Sequence, residues 1–332
     1  MLAHTHLLGH GGSLKKGHLL DAGDVAGLAS AGIARVFVAR LEPDDLSEDA
    51  AAHRLAVSVA GPHLTLTPAT TGRANLFAAA RGVLVVDRAG VDALNSIDER
   101  LTFATRPPWA VVAAGELTGT VKIIPFAVPR QVVERAVPRR PLVRVAPFSP
   151  LRAGLILTSL GLPRVAMEAQ ATANQRQRLA ALGGQLVLEA RVPHTVQAVA
   201  EALRTQLDAG LELLLVLGAS AIVDRGDVIP TAIERMGGVV EHLGMPVDPG
   251  NLLLLGRAGR VPIVGVPGCA RTLRRSGFDQ VLERLAARLE VTPADLMALG
   301  VGGLLLEPAR GSGGEGSAAP LVSVPSRTGG ST

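Results

Sequence analysis

Residues 185–217 read QLVLEARVPHTVQAVAEALRTQLDAGLELLLVL, and this stretch decides the fold. The apolar runs 185–190 and 211–217 predict strands, and residues 196–209 between them predict a helix with Thr195 as its N-cap. A strand, a helix and a second strand in this order form a βαβ unit, whose two strands pair in parallel. We therefore expect a parallel sheet in this half of the chain.

The same alternation continues on both sides of this unit. Short apolar runs bounded by Gly or Pro predict further strands, and runs that end at Gly predict further helices. The predicted strands are residues 155–159, 239–243, 252–255 and 261–266, and the predicted helices are residues 167–182 and 229–236. The expected fold class is α/β, with a mostly parallel, doubly wound sheet preceded by a smaller mixed α/β domain.

The composition is that of a globular protein of about two domains. Of 332 residues, 48% are hydrophobic, and 33 Lys and Arg stand against 29 Asp and Glu, which excludes a disordered chain. Residues 130–152 contain six basic residues and one acidic residue, and this Pro- and Arg-rich segment predicts a linker. We expect an N-terminal domain at 1–129, an α/β domain at 153–310 and a flexible Gly/Ser-rich tail at 311–332.

The sequence shows no signal for export, for a membrane or for nucleic acid. The first residues lack the basic and apolar regions of a signal peptide, and no apolar run reaches the roughly 18 residues of a membrane span. The one cysteine cannot form an internal disulfide, as is usual in a reducing compartment. One Trp and six Phe offer few platforms for stacking nucleic-acid bases. We expect a cytoplasmic protein with neither a membrane nor a nucleic-acid partner.

Three loops that follow or join predicted strands are rich in Gly and other small residues. They are residues 218–227, 243–251 and 267–277. In an open α/β sheet, ligands bind beyond the carboxyl ends of the strands, where such loops lie. Small residues let backbone N–H groups approach a ligand closely, and a helix that begins after the loop favours a bound anion. The pattern predicts a phosphorylated small molecule as the ligand.

Residues 218–277 resemble the molybdopterin-binding domain of molybdenum-cofactor biosynthesis proteins, the family of gephyrin and the bacterial molybdopterin molybdotransferases. This family has a Gly-Gly-x-Ser loop leading to an Asp before a helix, then a helix that ends in Gly, a Pro-Gly loop and a Pro-Gly-x-Pro-like loop. The residues at these positions are Gly218, Ala219, Ser220, Asp227, Pro249, Gly250, Pro267 and Gly268. Residues 14–42, 71–76 and 121–128 are similar to other segments of the same family.

The resemblance implies molybdopterin or the molybdenum cofactor as the ligand. It also implies self-association into a homo-oligomer, and a molybdenum-cofactor nucleotidyltransferase or a molybdoenzyme as the receiving partner. Two features of the family are missing. The family's first strand is followed by a Thr-Gly-Asp-Glu run with catalytic acids, whereas residues 157–161 read LTSLG. The family's lysines beside the Pro-Gly loop are replaced by Asp248 and Asn251 in that neighbourhood. These losses affect metal insertion more than pterin binding.

Asp224 and Asp227 are the candidate catalytic residues. A carboxylate can hold Mg²⁺ through water or accept a hydrogen bond from a pterin amino group, and Asp227 is the candidate metal ligand. The alternative role of Asp227 is structural, with its side chain capping the helix that begins near residue 229.

The candidate cofactor-binding residues come from the three loops. They are Gly218, Ala219, Ser220, Pro249, Gly250, Asn251, Pro267, Gly268, Cys269 and Arg271. The guanidinium of Arg271, like those of Arg274 and Arg275, suits a phosphate, and a solvated charged stretch is the alternative. Cys269 offers either a reactive thiol or a small buried apolar group. Near the amino terminus His4, His6 and His10 have the spacing of a metal site, with plain exposure as the alternative.

Three functions remain open, and we favour the first. The chain can be a binding or carrier protein for molybdopterin, which agrees with a preserved pocket and missing acids. It can be an enzyme that uses Asp224 or Asp227 with Mg²⁺ to insert molybdate or transfer an adenylyl group. It can also hydrolyse an ADP-ribose type nucleotide sugar, since the same fold occurs in nucleotide-sugar hydrolases of the competence-damage type.

Overall fold

The computed structural model describes residues 1–8, 12–161 and 165–305. The amino-terminal part contains the antiparallel pair β1 (His6–Leu8) and β2 (Gly12–Leu14), followed by α1 (Ala22–Ser30). Asp21 begins α1 with a capping box, in which its side chain and that of Asp24 each accept an N–H of the other residue. Across the described residues, no helix has the length and apolar character needed to cross a membrane.

The middle part of the chain is built from short antiparallel strands that pack on helices. Its strands are β3 (Asp45–Ser47), β4 (Leu64–Leu66), β5 (Arg73–Ala78), β6 (Gly82–Val86), β7 (Leu101–Thr105), β8 (Val111–Val112), β9 (Leu117–Ile123), β10 (Ala127–Pro129) and β11 (Val143–Pro147). Its helices are α2 (Glu48–Val59), α3 (Arg88–Asn95) and α4 (Arg130–Ala136). The strands form sheets ordered β4-β5-β9-β7, β11-β6-β8 and β10-β3.

One hydrophobic core holds this middle part together, and it extends into the basic segment 130–152. α2 contributes Leu55 and Val59 to the core, and α4 contributes Val133. β11 contributes Val143 and Val145 and pairs along its whole length with β6. The segment expected to be a linker therefore contains a helix and a strand that are packed into the middle part.

The carboxyl-terminal part contains a six-stranded sheet. Its strands are β12 (Arg152–Ser159), β13 (Gln185–Pro193), β14 (Leu213–Leu217), β15 (Val239–Leu243), β16 (Leu254–Ala258) and β17 (Val261–Gly265). They are ordered β13-β12-β14-β17-β16-β15. The pairings among β13, β12, β14 and β17 are parallel, whereas β16 is antiparallel to both of its neighbours.

Helices cover both faces of this sheet because the apolar strands are buried on both sides. The helices are α5 (Val165–Ala181), α6 (Val196–Asp208), α7 (Val228–Arg235), α8 (Gly277–Ala286) and α9 (Pro293–Met297). Successive residues of a strand face opposite sides: in β14, Leu215 packs in the core that includes α5 and α8, while Leu214 and Val216 pack in the core that includes α6 and α7.

The predicted α/β class is confirmed, and the sheet is mixed. Every strand and helix predicted for residues 155–266 is present, with bounds shifted by a few residues. The antiparallel strand arises at the connection between β16 and β17, which consists of Gly259 and Arg260. A connection of this length makes a hairpin, since a parallel pair needs a crossover of a dozen or more residues.

α8 links the loop before β16 to the middle part of the chain. At its first turn, the N–H of Gly277 donates to the carbonyl of Pro249 at 2.9 Å. At its last turn, the guanidinium of Arg284 lies 4.2 Å from the ring centre of Trp109, in the middle part of the chain. Burial lowers the pKa of Arg284. The middle part also contacts the end of α5, where Arg81 donates to the carbonyl of Ala181 at 2.5 Å.

Candidate ligand-binding site

The loops predicted to bind a ligand meet on the side of the six-stranded sheet where its parallel strands end. β12, β13, β14 and β17 run in the same direction, so their carboxyl ends share this edge. β15 also ends there, because it is antiparallel to β16, which is antiparallel to β17. We call this side of the sheet the carboxyl edge.

Three consecutive residues of the loop after β14 are each contacted by a side chain from another strand end. Arg271, after β17, donates from Nη2 to the carbonyl of Gly218 at 2.5 Å. Thr158, near the end of β12, accepts the N–H of Ala219 on its Oγ1 at 2.7 Å. His194, after β13, has its Nε2 at 3.4 Å from Ser220 Oγ. The loop is therefore held in position from both neighbouring sides before any ligand binds.

Gly218 is required for this tight turn. A Cβ atom at this position would lie 2.7 Å from the carbonyl oxygen of Ser220 and 3.0 Å from Cδ1 of Ile229. The first contact is with backbone, which cannot move aside without opening the turn. The Gly-rich character of the sequence here thus has a steric cause.

A second group of contacts fixes the backbone that carries Arg271. Asn174 and Gln175, on α5, donate to the carbonyls of Arg271 and Ala270 at 2.6 and 2.7 Å. Arg178, one turn further on α5, donates to the carbonyls of Ala270, Thr272 and Arg274 at 2.9, 2.5 and 3.2 Å. The loop after β17 is thus held from behind by one face of a helix.

Arg178 is itself a buried ion-pair partner. Its side chain is 6% exposed, and its Nε lies 2.7 Å from Oδ1 of Asp279 on α8. Asp279 also accepts the N–H and the hydroxyl of Ser276 on Oδ2, at 2.7 and 3.1 Å. The carboxylate of Asp279 therefore caps the first turn of α8 and also orients the guanidinium of Arg178, which holds the loop that carries Arg271.

A cleft of about 230 Å³ opens beside these residues, between the ends of β12 and β14. It is lined by Leu157, Thr158, Ser159, Leu160, Met167, Glu168, Leu217, Ala219 and Arg271. A second cleft of about 220 Å³ shares Leu157, Ser159 and Glu168 with it and continues towards the end of β13. The two adjoining clefts, called the ligand cleft below, combine apolar walls with two cationic side chains, Arg271 and Arg191, and one acidic side chain, Glu168.

Glu168 is the acidic group of the ligand cleft. It lies in the first turn of α5, and it is 8% exposed. Its Oε2 lies 3.4 Å from Nε of Arg191 on β13, and Arg191 also lies 2.5 Å from Oε1 of Glu189. The sequence 157–161 contains no acid, but the fold supplies one from a helix that begins a few residues later.

The side chains of Asp224 and Asp227 accept hydrogen bonds from backbone N–H groups within the loop after β14. Oδ2 of Asp227 accepts the N–H groups of Val223 and Asp224 at 2.7 and 3.0 Å, and these bonds lower the pKa of Asp227. Oδ1 of Asp224 accepts the N–H of Gly226 at 2.7 Å. Asp227 stands at the N-cap position of α7, but its side chain makes no hydrogen bond to that helix. The capping alternative is therefore wrong, because the carboxylate points back to the loop before it.

In the part of the chain that the structure describes, no cluster of three or more metal-ligating side chains surrounds these two aspartates. Within residues 1–8, 12–161 and 165–305, no three His, Cys, Asp or Glu side chains lie together in an arrangement that could hold a metal ion. His4 packs edge-on against Phe37, with ring centres 6.1 Å apart, and His6 lies in β1. His10, the third member of the predicted group, lies outside the described residues, as does the predicted tail 311–332.

The loop with Pro249, Gly250 and Asn251 lies at the carboxyl edge but does not line the ligand cleft. Gly250 has a φ of 130°, and a Cβ there would lie 2.6 Å from the nitrogen of Gly277. The carbonyl of Asn251 accepts the N–H of Met245 at 2.9 Å. This loop packs on the first turn of α8, and Asn251 lines a separate hollow of about 220 Å³.

Pro267, Gly268 and Cys269 lie between β17 and Arg271. Pro267 precedes a 3-10 helix that spans Gly268–Arg271. Cys269 is half-buried, and burial raises the pKa of its thiol. Because the thiolate is the nucleophilic form, this shift favours the role of a small apolar group over that of a reactive thiol.

Several residues of this site are absent from the sequence-based candidates. They are Thr158, Glu168, Asn174, Gln175, Arg178 and His194. For His194 a signal exists, since it lies four residues after the predicted strand 185–190, in the connection that leaves the carboxyl end of that strand, where ligands bind. For the α5 residues the sequence gives only a helical pattern, and their role depends on contacts made about a hundred positions away.

The comparisons with known proteins give low similarity. No family model matches the sequence, and no curated protein matches it. Among solved structures, a molybdopterin biosynthesis MoeA protein from Pyrococcus horikosii is similar at TM-score 0.33 and 12% identity, over 64% of this chain and 68% of that one. The molybdopterin biosynthesis enzyme MoaB from Thermus thermophilus reaches TM-score 0.29 and 18% identity, over 46% and 97%. The CinA protein from Thermoplasma acidophilum reaches 0.32 and 11%, over 41% and 98%. At these values the likeness carries no argument about function.

Proposed function

We propose that this chain binds molybdopterin or the finished molybdenum cofactor, and that it acts in molybdenum-cofactor biosynthesis or delivery. The observation that supports the proposal is the loop Gly218–Ser220, which resembles the family's ligand loop and is held by three side chains beside an open cleft. The ligand cleft lies where an open α/β sheet binds its ligands, beyond the carboxyl ends of its strands.

Molybdopterin combines a fused heteroaromatic ring with a phosphate group, and the ligand cleft offers a partner for each. The guanidinium of Arg271 supplies charge-assisted donors for the phosphate. The buried carboxylate of Glu168 supplies an acceptor for the amino and ring N–H groups of the pterin. Leu160 and Met167 give an apolar wall for the ring. Cationic side chains, an acid and an apolar wall together favour this class of ligand over a simple anion.

Binding and delivery account for these residues better than metal insertion does. The carboxylate of Asp227 already accepts hydrogen bonds from two backbone N–H groups of its own loop. All three lysines of the sequence precede residue 123, so none comes from the loops of the carboxyl edge. A cleft without these groups can hold the pterin and release it to a nucleotidyltransferase or a molybdoenzyme.

The test is an anaerobic titration of the purified protein with molybdopterin, followed by calorimetry and pterin fluorescence. We expect saturable binding that weakens about tenfold in Arg271→Ala and in Glu168→Gln, since each loses a hydrogen bond to or from a charged group. Arg235→Ala is the matched control, because Arg235 is exposed in the last turn of α7. Equal affinity in all four proteins would refute the assignment of the ligand cleft.

Two parallel reactions separate the competing functions. Release of nucleotide in the presence of pterin, molybdate and Mg²⁺ would favour an enzyme of molybdate insertion or adenylyl transfer. Hydrolysis of ADP-ribose without pterin would favour a nucleotide-sugar hydrolase. Binding of molybdopterin without either reaction is the result expected of a carrier.

A further inference from the structure

The side chains of Thr158, His194 and Ser220 lie in a row along the carboxyl edge. His194 Nδ1 lies 2.7 Å from Thr158 Oγ1, and His194 Nε2 lies 3.4 Å from Ser220 Oγ. The three residues come from the ends of three different strands, β12, β13 and β14. They are brought together only by the order of the sheet.

The contacts of Thr158 determine which ring nitrogen of neutral His194 carries the proton. A hydroxyl has one hydrogen to donate and two lone pairs to accept with. One lone pair of Thr158 already accepts the N–H of Ala219 at 2.7 Å. Thr158 is 5% exposed, so its hydrogen must be given to a protein acceptor or be buried without one, at a cost of about 1–3 kcal/mol. Nδ1 of His194 is that acceptor, and the ring proton therefore sits on Nε2.

This protonation state decides between two roles for the Ser220–His194 pair. A histidine that activates a serine as nucleophile must present an unprotonated nitrogen to the hydroxyl. Here Nε2–H faces Ser220, so the ring acts as a donor. The separation of 3.4 Å exceeds the usual 2.7–3.2 Å of an N–H···O hydrogen bond. A ligand oxygen that approaches more closely can therefore take over this donor.

Asp227, in the same loop, uses one carboxylate oxygen for hydrogen bonds within the loop. Asp227 is close enough for its pKa to be lowered in part by His194, after the larger effect of its two N–H bonds. Both of those bonds are made by Oδ2, to Val223 and Asp224. His194 is partly buried and Ser220 is exposed, so both donors are accessible to a ligand at the carboxyl edge.

We propose that Nε2–H of His194 and the hydroxyl of Ser220 form a donor pair for a phosphate group of the bound molecule. The pair and Arg271 contact the same loop, since β12 and β13 lie on one side of β14 in the sheet order and β17 on the other, and together they supply the donors for one phosphate. Thr158 is the positioning residue, since it fixes the ring and its tautomer through Nδ1. The identity of the ligand as molybdopterin rests on the proposed function, whereas the donor pair does not.

The test uses the imidazole ¹⁵N resonances of the full-length protein above pH 7.5, titrated with inorganic phosphate. We expect the Nε2–H tautomer of His194 in the wild type and a saturable phosphate-induced shift of Nε2 that exceeds that of Nδ1. Thr158→Val should lose the tautomer preference, while Thr158→Ser, which keeps the hydroxyl, should retain it. His194→Gln identifies the resonance.

The outcomes distinguish this inference from the proposed function. An Nδ1–H tautomer in the wild type, or an Nε2 resonance that phosphate leaves unchanged, would overturn the donor pair. If the pair is correct and molybdopterin is the ligand, His194→Gln should weaken its binding about tenfold or more. A phosphate-induced shift in a protein that binds no molybdopterin would refute the proposed function and leave the donor pair standing.

Discussion

Replacing Arg178 by methionine is expected to destabilise the carboxyl-terminal part by about 3 kcal/mol and to release the loop that carries Arg271. Methionine keeps much of the length of the side chain and removes the guanidinium. The change abolishes the ion pair to Asp279 and the donors to the carbonyls of Ala270, Thr272 and Arg274. Because Arg178 is 6% exposed, water does not replace these contacts.

The size of the expected loss in the free energy of unfolding depends on the contacts that remain after the substitution. Removing one partner of a buried ion pair costs about 3–5 kcal/mol, mainly because the other charge remains buried and unpaired. Here Asp279 keeps both hydrogen bonds from Ser276, and the carbonyl of Ala270 keeps its bond from Gln175. These remaining contacts place the loss at the lower end of the range. At about 2–4 °C per kcal/mol, the melting temperature should fall by roughly 6–12 °C.

The assay is thermal unfolding followed by calorimetry and far-ultraviolet circular dichroism, with Arg176→Met as the matched control. Arg176 lies on the same helix and is exposed, so its replacement should change stability by about 0.5 kcal/mol or less. Equal melting temperatures for the two variants would refute the account of Arg178. Arg178→Met should also bind the ligand more weakly than Arg176→Met, because Arg271 is no longer held in place.

Further outcomes concern the Gly218–Ser220 loop and the assembly. Gly218→Ala should destabilise by about 1–3 kcal/mol and abolish ligand binding, because the new Cβ meets the backbone of Ser220; an unchanged melting temperature would contradict this. The pKa of Asp227 is lowered, so its contribution to stability should be complete at neutral pH and be lost as the pH falls from about 4 through the lowered value. Asp227→Asn should therefore flatten the loss of melting temperature in acid. Self-association is expected at micromolar concentration, and sedimentation of a clean monomer would count against it.

The strands and helices of the carboxyl-terminal part are predictable because burial on both faces leaves a simple pattern. A strand such as β14, buried at every residue, reads as an unbroken apolar run. The end of β13 is harder to predict: it continues through polar residues to Pro193, since an edge strand is partly exposed. β16 runs antiparallel to β17 because the connection at Gly259 is short, and the alternation of strands and helices along the sequence does not predict such a hairpin.

The candidate site is predictable only as far as it follows chain order. Gly218 and Arg271 are found from their positions after apolar strands, and the structure brings them into direct contact. Glu168 and His194 reach the same place through the sheet order, which no local pattern encodes. Asp227 illustrates the opposite error: its type and position favour a helix cap, but two N–H groups before it compete successfully for the carboxylate.

Trp109, the only tryptophan of the sequence, lies against the last turn of α8 and offers an intrinsic fluorescent probe of the carboxyl edge. The first turn of α8 bonds to the backbone of Pro249 and, through Asp279, to Arg178. The last turn of α8 places Arg284 on the ring of Trp109. A ten-residue helix is a rigid rod about 15 Å long. A tilt of α8 on ligand binding would change the contact between Arg284 and Trp109, and tryptophan emission would then follow binding at the carboxyl edge without an added label.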